Sequence, residues 1–489
     1  MLVDVNRVRD FEIVLGFVAP IGTDLDSVIV RIKDELKIFD YGSETIRLSH
    51  LLDVADTPED SVGYYKARMD KGDELRRQYG SGDALAAVAA AKMISLRGDH
   101  SRERRFAWIL RTLKHEDEVA LLRQTYGRRF ILIGAYQEMS ERMRNLSESL
   151  KGDNAKDANY TSEAAALVRR DEMDPDDEFG QQGRDTYAQA DYFIDLGKDV
   201  VAEVARLVGL LFGEPFLTPN RDEVAMFHAF GAALRSADPG RQVGAAITTA
   251  EGELLSTGSN EVPKAFGGEY WTGDPNDARD YKAGYDYSKK QTRRTLSEIL
   301  TALSEGGFLD SAIAPLSAEQ RLDEVLASER AGLKRSRMMS LIEFGRVVHA
   351  EMSALTQVAR LGISVHGATL YTTAFPCHMC MRLIISSGIA RIVYVDPYPK
   401  SLAFDMYADS ISSGRSTSPG HIPISPFCGA SWNIYPEVFS GQKRKRDGAG
   451  RFVPFEKTTA RMRLGETEPL MNAAALEAQI PIALSALGN

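Results

Sequence analysis

Gly367-Ala368-Thr369-Leu370-Tyr371-Thr372-Thr373-Ala374-Phe375-Pro376-Cys377-His378-Met379-Cys380-Met381-Arg382-Leu383-Ile384-Ile385-Ser386-Ser387 reads as a buried strand that stops at a proline and restarts as a helix. Pro376, with its preset φ, suits the opening of that helix. Cys377 and Cys380, three residues apart, fall on one side of its first turn. The helix N-terminus favours thiolate over thiol there. Upstream, His349-Ala350-Glu351 followed by Met352-Ser353-Ala354-Leu355 reads as the opening of a second helix. One imidazole and two thiolates make a three-ligand set with a fourth position open, as zinc is held where it does chemistry. Glu351, two residues from the histidine, can point at the metal without ligating it. Alone, Cys-x-x-Cys fits a redox pair or half a structural zinc site, and His-x-Glu occurs by chance. Together, in this order and with the proline in place, they specify a hydrolytic metal site. His378, lodged between the cysteines, reads as a surface or supporting residue, since as a ligand it would compete with His349.

That constellation is similar to the signature of zinc-dependent nucleobase deaminases. Hydrolytic loss of a ring amino group needs a strong nucleophile at neutral pH, and zinc lowers the pKa of a bound water from about 15.7 to about 7. On this reading His349, Cys377 and Cys380 bind one Zn²⁺. Glu351 is the proton shuttle, taking a proton from water, delivering it to ring N3 and assisting departure of ammonia.

The 489 residues exceed one ordinary core, so two or more domains are expected. Apolar content of 44% and charged content of 26% are those of a soluble globular chain. Of three cysteines, two are assigned to metal, and Cys428 reads as a small buried hydrophobe. No disulfide framework is possible, which points to a reducing cytoplasm. The segment 11–21 after Arg7 and Arg9 faintly mimics a secretion signal but is interrupted by Glu12. No apolar run approaches the ~18 residues of a membrane span. The formal charge of −10 disfavours a surface built to grip polyanions. Two local basic clusters stand against that balance: Arg102-Glu103-Arg104-Arg105, read as one face of a helix, and Lys443-Arg444-Lys445-Arg446, read as a solvated turn.

In the amino-terminal half, residues 11–18 read as a buried strand and 19–22 as a turn. From Thr23 an amphipathic helix follows, with Leu25, Val28, Ile29, Ile32 and Leu36 on one stripe. Strand, glycine turn and helix offer backbone N–H groups to a phosphate. Gly16 and Gly22-Thr23 nearly spell a P-loop, but the spacing is one residue too long and the phosphate-clamping lysine is missing. Residues 105–110 and 129–134 read as further strands joined by a helix at 116–126, so β and α alternate. With the arginine-rich 138–144 and the lid-like stretch from Arg169-Arg170-Asp171-Glu172 to 194, this half resembles the nucleoside monophosphate kinase-like P-loop family. The resemblance implies a nucleotide or phosphate site around Gly22, Thr23, Arg169 and Arg170, serving a sensor or oligomerisation scaffold rather than phosphoryl transfer.

The Pro- and Gly-rich segment 212–220 reads as the domain boundary. Beyond it come a helix at 222–235 and a hairpin pairing 243–249 with 254–259. Residues 267–340 form an insertion with a polar aromatic stretch and two helices, at 289–304 and 318–333. Arg235-Ser236-Ala237-Asp238-Pro239, Gln242-Val243-Gly244-Ala245 and Gly258-Ser259-Asn260-Glu261-Val262-Pro263 resemble the opening motifs of deoxycytidylate deaminases. By that likeness Asn260 bonds the sugar 3′-hydroxyl, the strand at 243–246 with Ala245 floors the base pocket, and Tyr398 flanks the substrate.

The expected fold is α/β throughout: a P-loop kinase-like parallel-sheet domain over residues 1–212 and a three-layer α/β/α cytidine deaminase-like domain over 213–489. That combination resembles the bacterial anti-phage dCTP/dCMP deaminases. The resemblance implies deamination of free deoxycytidine nucleotides to deoxyuridine nucleotides in the cytoplasm, draining dCTP from phage DNA synthesis. It also implies assembly into homo-oligomers, hexamers among them, and a resting state held inactive, in some members by a small RNA. The residues alone reach only a zinc hydrolase acting on an amino-pyrimidine or related base. A polynucleotide deaminase acting on tRNA or single-stranded DNA, a nucleotide-binding switch with a structural zinc, and a bifunctional kinase–deaminase are the competing readings.

Overall fold

Strand β1 (Glu12–Val18) is buried along its whole length because a parallel neighbour lies on each side of it. A strand so placed reads as a continuous apolar run rather than an alternation. The computed structural model describes residues 10–54, 61–151, 160–172, 182–328, 336–340, 344–396, 401–414, 419–440, 446, 449–464 and 470–487. Two compact units emerge, one of residues 1–227, 393–399 and 411–489, the other of 228–392 and 400–410. The division differs from the boundary expected at residue 212, because residues 213–227 and the tail from 411 onward belong with the amino-terminal unit.

In that first unit β1 leads through a turn into α1 (Leu25–Ile38), which buries the five-residue stripe seen in the sequence. There follow β2 (Gly42–Arg47), α2 (Val62–Tyr79), α3 (Ala84–Arg97), β3 (Phe106–Arg111), α4 (Glu116–Tyr126), β4 (Phe130–Tyr136), α5 (Met139–Lys151), α6 (Thr161–Glu172), α7 (Gly183–Ala188), β5 (Tyr192–Asp195) and α8 (Val200–Leu211). The strands lie parallel in the order β5-β4-β1-β3-β2. Helix α1 and α8 cover one face with Ile32, Leu36, Val204 and Leu207, which form one core with Ile13, Leu15 and Phe17 of β1.

The second unit is built on the part of α9 (Arg221–Ala233) from His228 onward, β6 (Gly244–Thr248), β7 (Leu254–Ser259), α10 (Asp280–Ala283), α11 (Tyr287–Glu305), α12 (Ala318–Ala327), α13 (Ala350–Leu361), β8 (Thr369–Ala374) and α14 (His378–Ser386). Strand β6 pairs antiparallel with both β7 and β8. Two glycines set the layers. A Cβ on Gly258 would stand 2.2 Å from the Ala350 carbonyl oxygen, and one on Gly244 would stand 1.9 Å from that of Ala229. Ala245 pairs with Gly258 and Gly244 with Ser259, so the two glycines face opposite sides of the sheet. Helix α13 therefore packs on one face and α9 on the other, the expected α/β/α sandwich. The insertion holds α11 and α12, whose Leu296, Leu300, Leu322 and Val325 make a small core of their own.

After β9 (Arg391–Asp396) and α15 (Ala403–Met406), the parallel pair β10 (Ile411–Ser413) and β11 (Ile422–Pro426) belongs to the first unit. Strand β12 (Gly429–Ala430) adds antiparallel to β5 at the edge of the first sheet. Then come α16 (Tyr435–Phe439) and α17 (Leu470–Leu487). Glu477 of α17, 1% exposed, receives two hydrogen bonds from Arg97 at 2.9 and 3.0 Å and further ones from Arg102.

That contact corrects the reading of residues 102–105 as a helix face: they form bends before β3. Arg102 is spent on Glu477, Arg104 on Glu12, and Arg105 on Asp10 and three carbonyls. Of the second basic cluster only Arg446 lies among the described residues, where it bridges to Phe452. Among the described residues no helix is long and apolar enough to cross a membrane.

Candidate active site

His349 and Cys377 are both N-cap residues, of α13 and α14 respectively, and this brings the ligand set together. The Cys377 sulfur accepts from the backbone N–H of Cys380 at 3.4 Å, the role a serine or aspartate usually fills. Pro376 therefore precedes the cap, and Cys377 is the cap itself rather than a residue of the first turn. The partial positive charge of the helix end falls directly on that sulfur.

Both sulfurs stand 3.3 Å from Nδ1 of His349, and the three ligand atoms lie within 4.8 Å of one another. The cysteines are 7% and 0% exposed. Zn–S of about 2.3 Å and Zn–N of about 2.0–2.1 Å at tetrahedral angles imply an S···N edge of about 3.6 Å, within a few tenths of these contacts. Glu351 in the first turn of α13 is 4% exposed, and its Oε2 accepts from the Cys380 thiol at 3.4 Å. It sits behind the cluster without joining it.

The protonation pattern reflects how closely the four groups are packed. Cys377 is drawn down to about 4, chiefly by the hydrogen bond from Cys380, with His349 assisting against burial. Cys380 is pushed well up by its bond to that thiolate, by burial and by Glu351. His349 rises to about 9 through its contact with the Cys377 sulfur, against the opposing effect of burial. Burial first, then the Cys377 charge, raises Glu351. Without a cation, then, the two sulfurs favour one thiolate and one thiol. A dication at the centre reverses that logic and deprotonates a coordinating thiol outright. The donor set fits zinc with three protein ligands and one open position.

Around the cluster, Asn260 follows β7 and is 8% exposed. Its Oδ1 accepts from the Val243 N–H and its Nδ2 donates to the Arg241 carbonyl, both at 2.7 Å, so it holds the loop before β6. Ala245 is fully buried on the α13 side of the sheet. Tyr398 lies outside the described residues.

Glu261, which sequence reasoning passed over although it adjoins Asn260, ties three segments together. Its backbone exchanges hydrogen bonds with Val348, next to the ligand histidine, and its carboxylate accepts from the N–H groups of Ala237 and Val262. Glu269 receives Ser353 of α13 and both terminal nitrogens of Arg235. No local pattern marks either glutamate, because their partners are 24 and 84 residues away.

In the first unit, Gly22 (φ +85°) and Thr23 form the turn before α1, and a Cβ on Gly22 would stand 2.5 Å from the Arg142 carbonyl. Three N–H groups of the turn are engaged: Ile21 donates to Asp171 Oδ2 at 2.8 Å, Asp24 to Gln137 at 3.0 Å and Thr23 to the Pro20 carbonyl. Arg170 pairs with Asp70 and Asp73, and Arg169 is exposed on α6.

Residues 219–396 match the family model of the cytidine and deoxycytidylate deaminase zinc-binding region. The chain is 44% identical over 54 residues to the deoxycytidylate deaminase of Enterobacteria phage T2, covering 11% of this chain and 29% of that one. It is 26% identical over 188 residues to the human deoxycytidylate deaminase, covering 38% of this chain and 67% of that one. The chain thus spans under a third of the length of the phage relative. A solved dCMP deaminase of cyanophage S-TIM5 aligns over 43% of this chain and all of its own at 16% identity, with a TM-score of 0.23, too low to carry structural argument. Residues 219–396 are thus similar to the zinc-binding region of the cytidine and deoxycytidylate deaminases.

Proposed function

We propose that this domain hydrolyses the 4-amino group of free deoxycytidine nucleotides, dCTP and dCMP, to give the deoxyuridine nucleotides and ammonia. The observation that carries the reading is the placement of Glu351, buried and touching the Cys380 sulfur yet outside the three-ligand cluster. A purely structural zinc needs no such carboxylate.

His349, Cys377 and Cys380 would hold the zinc ion, which when bound supplies a water acidified to near neutral pH. Glu351 accepts the proton that water loses as its oxygen attacks C4, and delivers it to ring N3. It then takes the remaining proton from the new C4 hydroxyl and passes it to the amino nitrogen as the C4–N bond breaks and the C4 carbonyl forms, so water is consumed and ammonia released. A carboxyl whose pKa burial has raised is suited to take up and give back a proton in each of the two transfers. Ala245 floors the base and Asn260 offers its remaining amide hydrogen to the sugar hydroxyl; a role for Tyr398 beside the substrate rests on the family resemblance. Depletion of dCTP during phage infection, restraint by a small RNA and assembly into an oligomer rest on the family resemblance alone.

The test is ammonia release from dCTP, dCMP, CTP, deoxycytidine and single-stranded DNA by zinc-replete protein, with Glu351→Ala as control. Glutamate-dependent release from the free deoxynucleotides is expected. Release from the polymer alone would overturn the nucleotide assignment in favour of a polynucleotide deaminase.

A further inference from the structure

We propose that the first arm of the insertion, residues 267–280, is the frame that holds the zinc histidine, with Glu269, Arg279 and Asp280 as positioning residues. The inference rests on His349 being a zinc ligand, and not on which nucleotide is deaminated.

An insertion of this length invites the reading of a lid or a separate interface. Its distal part fits that reading, since α11 and α12 close a small core of their own. The first arm does not. Residues 260–264 run between it and the segment that leads into α13. On one side the Lys264 N–H donates to the Gly268 carbonyl at 2.9 Å and the Tyr270 N–H to that of Val262 at 3.3 Å. On the other, Glu261 and Val348 exchange backbone hydrogen bonds at 3.2 and 3.0 Å. Val348 is the residue before His349.

Side chains of the arm then reach both bridged segments. Arg279 and Asp280, consecutive and of opposite charge, meet opposite charges: Arg279 Nη1 stands 3.7 Å from Glu261 Oε2, and Asp280 Oδ1 stands 3.2 Å from Arg346 Nη1. Glu261, Arg279 and Asp280 are 2, 5 and 8% exposed. Asp277 takes the other edge of the Arg279 guanidinium at 2.7 to 3.1 Å, and Asp238 and Asp286 also face Asp280. Two guanidiniums thus stand among five carboxylates, and removing either leaves buried negative charge uncompensated. Beyond His349 the arm takes hold again. Ser353, whose N–H donates to the His349 carbonyl, gives its hydroxyl to Glu269 at 2.5 Å, and Arg235 fixes that carboxylate from the other side. The first turn of α13, with His349 at its cap and Glu351 inside it, is therefore held before and behind by one stretch of chain. Groups that orient metal ligands without touching the metal carry about 10–100-fold in metal affinity or activity.

The test is the zinc affinity of the full chain, by competition with a chromophoric chelator, beside the melting temperature of the metal-free protein. Asp280→Asn, Arg346→Gln and Glu269→Ala are each expected to weaken zinc binding by about 10–100-fold. Asp280→Asn and Arg346→Gln combined should lose no more than the worse of the two, because they break one contact. Arg294→Gln on α11, whose pair with Glu298 is exposed, should stay within about twofold of the parent. Should the charge variants melt early, Ser353→Ala, which removes one hydroxyl and no charge, is expected to weaken zinc in the same direction. Where dCMP is turned over, kcat should fall by about 10²-fold with KM within about threefold, as for a misplaced proton carrier. Zinc affinity within about twofold of the parent in the Asp280, Glu269 and Ser353 variants, an equal loss in Arg294→Gln, or a fully additive loss in the double variant would each overturn the assignment. A parent that binds zinc yet releases no ammonia from dCMP would refute the nucleotide reading alone, the affinity comparison still deciding the role of the arm.

Discussion

Replacing Gly258 by alanine puts a methyl 2.2 Å from the Ala350 carbonyl oxygen and 2.4 Å from the Ala354 nitrogen. Ordinary contact begins near 3.4 Å, so α13 must move away from β7 by about 1.2 Å. Both neighbours are helix backbone, which cannot rotate aside. The helix carries His349 at its cap and Glu351 in its first turn, so the displacement is delivered to the ligand set and the proton carrier together. Overpacking costs about 1–3 kcal/mol, a loss of about 2–4 °C in melting temperature per kcal/mol for a unit of this size. A misplacement of about 1 Å costs on the order of 10²-fold in rate. Steady-state deamination of dCMP, zinc content and melting temperature should be measured on the same preparation. Gly362→Ala at the other end of the helix is the control: its φ is +71° with no atom within 4 Å, so it adds backbone strain without pushing the helix. A Gly258→Ala protein with unchanged melting and a rate within about twofold of the parent would refute the claim that this close approach sets the site.

Glu351→Gln should lose about 10²–10⁴-fold in turnover while retaining zinc, as read by atomic absorption. Cys380→Ser should lose both, because a hydroxyl does not replace the buried thiolate. Zinc retention should fall with acid pH, since protons compete for the thiolates and the imidazole, and equilibrium dialysis across pH 5 to 8 (about the range in which an imidazole titrates) checks this. Glu12 responds to acid differently. Burial alone would raise its pKa, but hydrogen bonds from Arg97, Trp108 and Arg104 bring it below 4.5. A folded-state value below the unfolded one means its contribution is complete above pH 4.5 and is lost as pH falls through the folded value. Acid unfolding followed by tryptophan fluorescence should therefore begin at lower pH in the parent than in Glu12→Gln, with the stability difference between them shrinking as pH falls through the folded value. Glu477→Ala leaves buried Arg97 with half its partners and should cost about 3–5 kcal/mol in chemical denaturation.

The stretches that could be read from sequence are those whose partners are near in the chain or whose period is plain. The five apolar residues of α1, the helix at 116–126 and the hairpin of β6 and β7 all show their pattern locally. The ligand set was legible because metal chemistry restricts residue type and spacing together. The arginines at 102–105 were not, since what fixes them is Glu477, 375 residues away from Arg102. Nor could the sequence show that Asp171 occupies the N–H of Ile21, a contact across 150 residues that places a carboxylate on the turn before α1. Glu261 was hidden for a related reason: a carboxylate that braces loops has no periodicity, and its worth appears only when Ala237 and Val348 arrive beside it.

The return of the tail to the first unit sets an order on synthesis. Residues 228–392 lie inside the span of the amino-terminal unit, whose edge strand β12 and clamp Glu477 are translated after them. At about 5–20 residues per second, the 85 positions between 392 and 477 take about 4–17 s to appear. Throughout that interval the nascent chain holds every zinc ligand while Arg97 still awaits Glu477. Metal can be captured co-translationally, whereas the amino-terminal unit closes only when the last helix leaves the ribosome.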